Sequence, residues 1–370
     1  MLICLAIATP AQASIEMRVA IEEGVGQVTV GSSTRAIVRD GAGKELGEIA
    51  AMNAFNAQSN GGGGVQLDRW QAKQVWVEPT AGGYVFIGDR WYRGRTLVKP
   101  TSKGLTAVNY VDLEQYLYSV LGGEMIVSWP IEALKAQAVA ARSYALYQRE
   151  NMANGIYDVG DTEGWQVYKG VNVEAASTQS AVNATAGQVL VHQGRIIEAV
   201  FHSASGGHTE NVENVWVQAL PYLKGVPDFD QGTPEYEWTR TFSRSELSAR
   251  ITGVGNIISM EPERTTPQGR VMTMRVVGDA GTRSISGDTV RNALGLKSTK
   301  FRVLPEYEPT ASKNKSQLTP TSFQIRGNGF GHGLGLSQWG AYNLARNGHN
   351  YRQIVLHYYK NTILAKIQVK

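Results

Sequence analysis

Between Met17 and about Val98, apolar and polar residues alternate in short runs, "MRVAIEE", "GQVTV", "QVWVEP" and "GGYVFIG", separated by Gly, Asn and Ser. A period of two broken by turn formers predicts a β-rich segment. The stretch "NAQSNGGGGVQ", residues 56–66, reads as a loop by composition. The period then changes. Leu113, Tyr116, Leu117, Val120 and Leu121 recur at helical spacing behind Asp112, a good N-cap, and Gly122-Gly123 are expected to stop the helix, leaving Glu124 just past its end.

A second helix is predicted in "SWPIEALKAQAVAARSYALYQRE". Ser128 or Trp129 would cap it, Pro130 would enter its first turn, and Ile131, Leu134, Ala138, Ala141 and Ala145 would make a small-residue face for close packing. Lys135 and Arg142, seven apart, would project from one side about two turns apart, with Tyr144 near the end. Residues 185–202 read as a hairpin turning at Gln193-Gly194, and His202 leads into the loop "SASGGHTENVENVW", which also carries His208. Mixed strands and a short helix near Ser243 fill about 225–310, followed by the polar connection "PEYEPTASKNKSQLTP". The chain closes with "GFGHGLGLSQWGAYNLA" (329–345), a helical "YRQIVLHYY" and a last strand. The fold class this predicts is α+β: packed helices with mixed or antiparallel sheets behind a β-rich N-terminal part.

Composition adds bounds. The 370 residues are 42% hydrophobic, enough for a substantial core, and a net charge of +4 suits weakly acidic partners such as wall polymers. No Lys/Arg-rich run supports a nucleic-acid arm. Leu2–Ala8 followed by Ala11-Gln12-Ala13 reads as a signal peptide over residues 1–13, so export to the periplasm or wall is expected; a buried N-terminal strand is the alternative. The single cysteine, Cys4, lies inside that segment, so the processed chain would have neither disulfides nor cysteine-ligated zinc. No later stretch reaches the roughly 18 apolar residues that span a bilayer.

Several chemistries are excluded by pattern: there is no GxSxG elbow, no HExxH, and the glycine run at 327–335 misses GxGxxG in every register. Three candidates remain. Glu124, between two packed helices, would be partly desolvated, which raises a carboxyl pKa and suits a general acid for glycosidic cleavage; an exposed or capping glutamate is the plain alternative. His202 and His208 could bind a metal with Glu210 and Glu213, or bind substrate, or merely hold their loop. His332, between Gly331 and Gly333, would be open to a polymer backbone, and the helix opening at Ser337 and Gln338 could offer its first amides to a ligand oxygen; a tight packing loop is the alternative.

Five blocks, "YLYSVLGGEMIVSWPIEALKAQAVAARSYAL", "DTEGWQVYKG", "FHSASGGHTENVENVW", "ISGDTVRNALGLKSTKF" and "GNGFGHGLGLSQWGAYNLARNG", in order over about residues 100–365, resemble the stage II sporulation protein D (SpoIID) and LytB amidase-enhancer family. Behind the β-rich region at 14–98 that the alternation predicts, the resemblance implies a catalytic domain at 99–370, with a β-rich insertion expected at about 225–320. It implies a peptidoglycan lytic transglycosylase that cuts between MurNAc and GlcNAc in peptide-stripped glycan and leaves 1,6-anhydro-MurNAc ends. Glu124 would be the catalytic residue. Lys135, Arg142 and Tyr144 would meet sugar hydroxyls or the lactyl carboxylate, and His202, Ser203, His208, His332, Ser337 and Gln338 would bind or orient glycan. Some relatives bind zinc near the "FHS" loop with help from cysteine; with Ser205 there instead, no cofactor is expected. The alternatives are a non-catalytic wall-binding enhancer of an amidase, and a hydrolase needing a second carboxylate such as Asp161 or Glu163.

Overall fold

A computed structural model describes residues 15–151, 153–216, 218–307 and 319–367; the expected signal peptide and Cys4 lie outside them. The alternating N-terminal runs form two sheets. One orders the strands Val159–Gly160, Glu16–Val25, Gly104–Asp112, Arg95–Thr101, Val75–Pro79, Ala36–Asp40 and Glu45–Ile49. The other has six antiparallel strands between Gln27 and Tyr92. Position 98, expected as a boundary, falls inside the strand Arg95–Thr101, which pairs along Gly104–Asp112. The apolar side chains of both sheets join those of the helices in one cluster that includes Val30, Val77, Val98, Leu117 and Ala138.

The long strand Gly104–Asp112 runs straight into helix α1 (Leu113–Glu124), whose first amides, Glu114 and Gln115, donate to Asp112 Oδ1 at 2.9 and 3.0 Å. The glycine pair does not stop α1. Gly122 and Gly123 lie in its last turn, Glu124 is its final residue and Met125 caps it. The glycines are there for contact: a Cβ on Gly123 would sit 2.8 Å from the Val167 carbonyl, and one on Gly122 would overlap the Val173 carbonyl.

Helix α2 (Ile131–Asn151) starts one residue after Pro130, whose carbonyl accepts from Ala133 and Leu134. Fourteen of its 21 residues are buried, from Ala133 to Gln148, so it is covered on most of its circumference rather than along one face. Around it pack α1, the helices Ala176–Ala184, Gln338–Arg346 and Tyr351–Tyr358, and the strand Gln188–His192. Alanine permits that crowding because it brings a helix axis close to its neighbours. The hairpin turns at Gln193 and Gly194, both with positive φ, and pairs Val191 with Ile196. A second apolar cluster, Trp238 to Ile325, fills the space among two three-stranded antiparallel sheets and the helices Arg244–Arg250 and Gly287–Leu294.

Candidate active site

A cleft of about 810 Å³ opens at the end of α1. Its walls bring together Glu124 from α1, Tyr144 and Gln148 from α2, Glu163 and Trp165 from the loop after Val159–Gly160, Glu198 to Ser203, Trp216, Arg291, and Phe330 to His332 with Gln338. Another hollow, of about 500 Å³, lies on the sheet around Trp238 and is lined by Lys300, Arg302 and Arg326 with Glu237 as its one carboxyl. Of these two, only the first places carboxyls, imidazoles and aromatic rings together; a third hollow, of about 620 Å³, joins Glu150, His192, Tyr147 and Tyr222 but holds none of the expected site residues.

Glu124 is half-buried, and the Val167 backbone N–H donates to its Oε1 at 2.8 Å. Burial raises its pKa above the ordinary glutamate value; the Val167 N–H and the Gln338 side chain draw it partly back, and Glu163 adds to the rise. The glycines of α1 therefore have a chemical consequence: they let residues 167–173 approach closely enough for Val167 to hold the carboxylate. Tyr144, 9% exposed, keeps its phenol protonated, its pKa pushed up to about 12 by burial.

The two cleft histidines are both neutral, for different reasons. The His332 ring donates from Nε2 to the Phe201 carbonyl and accepts the Leu334 N–H at Nδ1, each at 3.0 Å, so it has no nitrogen left over. Burial first, then His202 and Arg270, hold its pKa well below the usual range. His202, 5% exposed, donates from Nδ1 to the Leu334 carbonyl at 3.0 Å. Its Nε2 has no protein partner, and burial followed by Arg270 pushes its pKa down to about 3. A buried lone pair on a cleft wall is an acceptor without a donor, a state that a substrate O–H relieves.

The glycines around His332 do not clear a groove. A Cβ on Gly331 would lie 2.8 Å from His202 Cβ, one on Gly333 would fall inside the Arg270 guanidinium, and one on Gly335 would overlap the Val200 carbonyl. The run packs against residues 200–206 and Arg270, and φ of +80° at Gly333 adds a second reason for glycine.

Four expected site residues lie elsewhere. Arg142 is fully buried, chelates Glu114 through Nε (2.9 Å) and Nη2 (2.5 Å), and reaches the carbonyl of Gln188. Lys135 pairs with Glu132 at 2.8 Å over the Tyr351 ring. Ser337 is fully buried and absent from the cleft wall, and its hydroxyl caps the following helix by accepting from Gly340; the Trp339 amide donates to the Ser203 carbonyl, so that amide is not free for a ligand. His208 engages the Thr209 carbonyl through Nδ1 and is absent from the cleft wall. The zinc set suggested by the resemblance does not fit these residues: Ser205 donates to Asp228 at 2.6 Å, and no group of three or more His, Cys, Asp or Glu among the described residues converges to hold a metal ion. Gln148, Glu198, Phe330 and Arg291 were not singled out from the sequence. Two of them carry a signal: Gln148 is four residues after Tyr144 on one helix face, and Glu198, Val200 and His202 alternate along extended chain.

The family described as Stage II sporulation protein matches residues 101–192, which contain α1, α2 and Glu124. A stage II sporulation protein D of Bacillus subtilis is 33% identical over 282 residues, covering 70% of this chain and 76% of its own. The chain belongs to the stage II sporulation protein D family. An amidase enhancer of the same organism is 31% identical over 297 residues, 67% of this chain and 40% of the relative, and an uncharacterized Brachyspira hyodysenteriae protein is 34% identical over 256 residues, 69% and 67%. A domain of unknown function matches residues 218–335, which supply Arg291 and the Phe330–His332 edge of the cleft. Membership supports a role at the cell wall. No helix among the described residues is long and apolar enough to cross a membrane.

Proposed function

We propose that this protein is an exported lytic transglycosylase that cuts MurNAc-GlcNAc bonds in peptide-free glycan strands and leaves 1,6-anhydro-MurNAc ends. The observation that carries the reading is Glu124: a half-buried carboxyl with raised pKa, held by one backbone N–H on the wall of an aromatic-lined cleft. Its acid form persists to higher pH than that of an ordinary glutamate, so it can donate to the glycosidic oxygen as the C1–O4 bond breaks. The resulting carboxylate then takes the proton of the sugar's own 6-hydroxyl as that oxygen bonds to C1, and no water is consumed. Trp165, Trp216 and Phe201 offer flat apolar faces to sugar rings, and His202 Nε2 accepts from a sugar hydroxyl.

Two other readings have an observation behind them. Glu163 and Glu198 share the cleft with Glu124, and hydrolysis uses a second carboxylate; the amidase-enhancer relative favours a non-catalytic partner of a wall amidase. Incubating the protein with peptide-free glycan and analysing the ends by mass spectrometry separates the three. Anhydro ends, reduced at least about a hundredfold in Glu124→Gln, support the proposal. Reducing ends indicate hydrolysis, and intact strands with faster amidase action indicate the enhancer; either would overturn it.

A further inference from the structure

The cleft carries three carboxyl groups, Glu124, Glu163 and Glu198, and among its described lining residues one permanent cation, Arg291. The two histidines do not balance the carboxyls, since both are neutral. Arg291 comes from the helix Gly287–Leu294 of the second apolar cluster, whereas the carboxyls and most of the aromatic rings come from the first. Arg142 and Arg270 do not line the cleft: Arg142 is bound to Glu114, and Arg270, buried behind Gly331, donates from its two terminal nitrogens to the carbonyls of Gly331 and Ser205, with its Nε left unpartnered. Arg291 does line it. Its Nε donates to the Leu296 carbonyl at 3.4 Å, and among the described residues no carboxylate lies within ion-pair distance of it. Both terminal nitrogens remain for a ligand, and a planar fork of N–H donors matches a carboxylate.

We propose that Arg291 is the specificity residue of this site and binds the lactyl carboxylate of N-acetylmuramic acid. The inference rests on the glycan reading above. In such a strand the muramic residue alone carries a carboxyl, and that carboxyl is ionised only where no peptide is attached; where one is attached it is a neutral amide. Arg291 therefore reads whether the strand has been stripped, and the class of reaction that supplies the substrate is hydrolysis of the lactyl amide. The flanking carboxyls sharpen the choice, because they disfavour any anion not met by the fork. The β-rich unit thus supplies selectivity to a carboxyl held by the helices.

The test uses peptide-free strands and the same strands with their carboxylates converted to methylamides. Affinities are measured by calorimetry in a Glu124→Gln background, where turnover does not intervene. Methylamidation is expected to weaken binding about tenfold or more, Arg291→Gln to weaken binding of the free-acid strand by a similar factor and erase the difference between strands, and Arg291→Lys to keep part of it. In the active background Arg291→Gln should raise KM more than it lowers kcat. In the same Glu124→Gln background with Arg291 intact, added salt should weaken binding of the acid strand and spare the methylamide, a readout independent of any substitution at Arg291. A preserved preference in Arg291→Gln, or no preference at all, overturns the proposal. Carboxylate-dependent binding without any cleavage overturns the transglycosylase reading alone, and failure to bind either strand overturns both.

Discussion

Arg142 shows how much a single side chain in this protein can serve the fold rather than the chemistry. It is fully buried, its guanidinium is spread over Glu114 and several carbonyls, and Glu114 in turn accepts the Gly187 N–H. Removing one member of such a set leaves the other charge without its partner, which costs roughly 3–5 kcal/mol. Arg142→Ala should therefore lower the urea midpoint sharply, while the fraction that remains folded binds peptide-free glycan with unchanged affinity. Lys135→Ala, which opens only a partly exposed ion pair with Glu132, should change stability by less than about 1 kcal/mol. Weaker glycan binding by folded Arg142→Ala would restore the arginine to the site. The spacing itself argues against that: residues two apart on a helix point about 200° away from one another, so Arg142 and Tyr144 cannot face one substrate.

The contact between α1 and residues 167–173 is set by two atoms that are absent. Alanine at Gly122 would gain up to about 1 kcal/mol of helix propensity if the position were open. It is closed by the Val173 carbonyl, so Gly122→Ala should instead destabilise by about 1–3 kcal/mol and move Val167 away from Glu124, lowering kcat more than it raises KM. Gly122→Ala with native stability and kinetics would show that the segment yields freely. This contact also marks how far the sequence could be read. The periods of two and 3.6 disclosed the N-terminal strands, α1, α2, the Gln193-Gly194 hairpin and the terminal helices, because each depends on neighbours in the chain. The glycines of α1 read as a stop and those around His332 as an opening, because what they face, Val173, His202 and Arg270, comes from sequence-distant segments. Glu124, Tyr144, His202, Ser203, His332 and Gln338 were legible as cleft residues; Arg291 was not, since a solitary arginine in a short helix has no pattern until the second cluster docks it beside the first.

Across the whole molecule the buried ionisable groups pull stability in opposite directions as pH falls. His202 and His332 have folded pKa values below their unfolded one, so on acidification the unfolded chain takes up protons that the native state refuses. For His202 that stability is fully present above about pH 6.5 and is lost as pH drops toward about 3, at no more than about 1.4 kcal/mol per pH unit. Glu124, Asp161 and Asp230 have raised values, about 6 for the last two, so the native state takes their protons first and acidification through that window favours it. A plain stability-versus-pH curve mixes these terms, whereas the difference between the unsubstituted protein and His202→Gln isolates one. Urea unfolding at about pH 7 and about pH 4.5 should show the substitution costing about 2 kcal/mol less at the lower pH, because glutamine has no proton for the unfolded chain to gain. Parallel curves would mean that His202 takes up its proton in the fold as readily as in the unfolded chain, and its Nε2 would then be a free acceptor only above about pH 6.5.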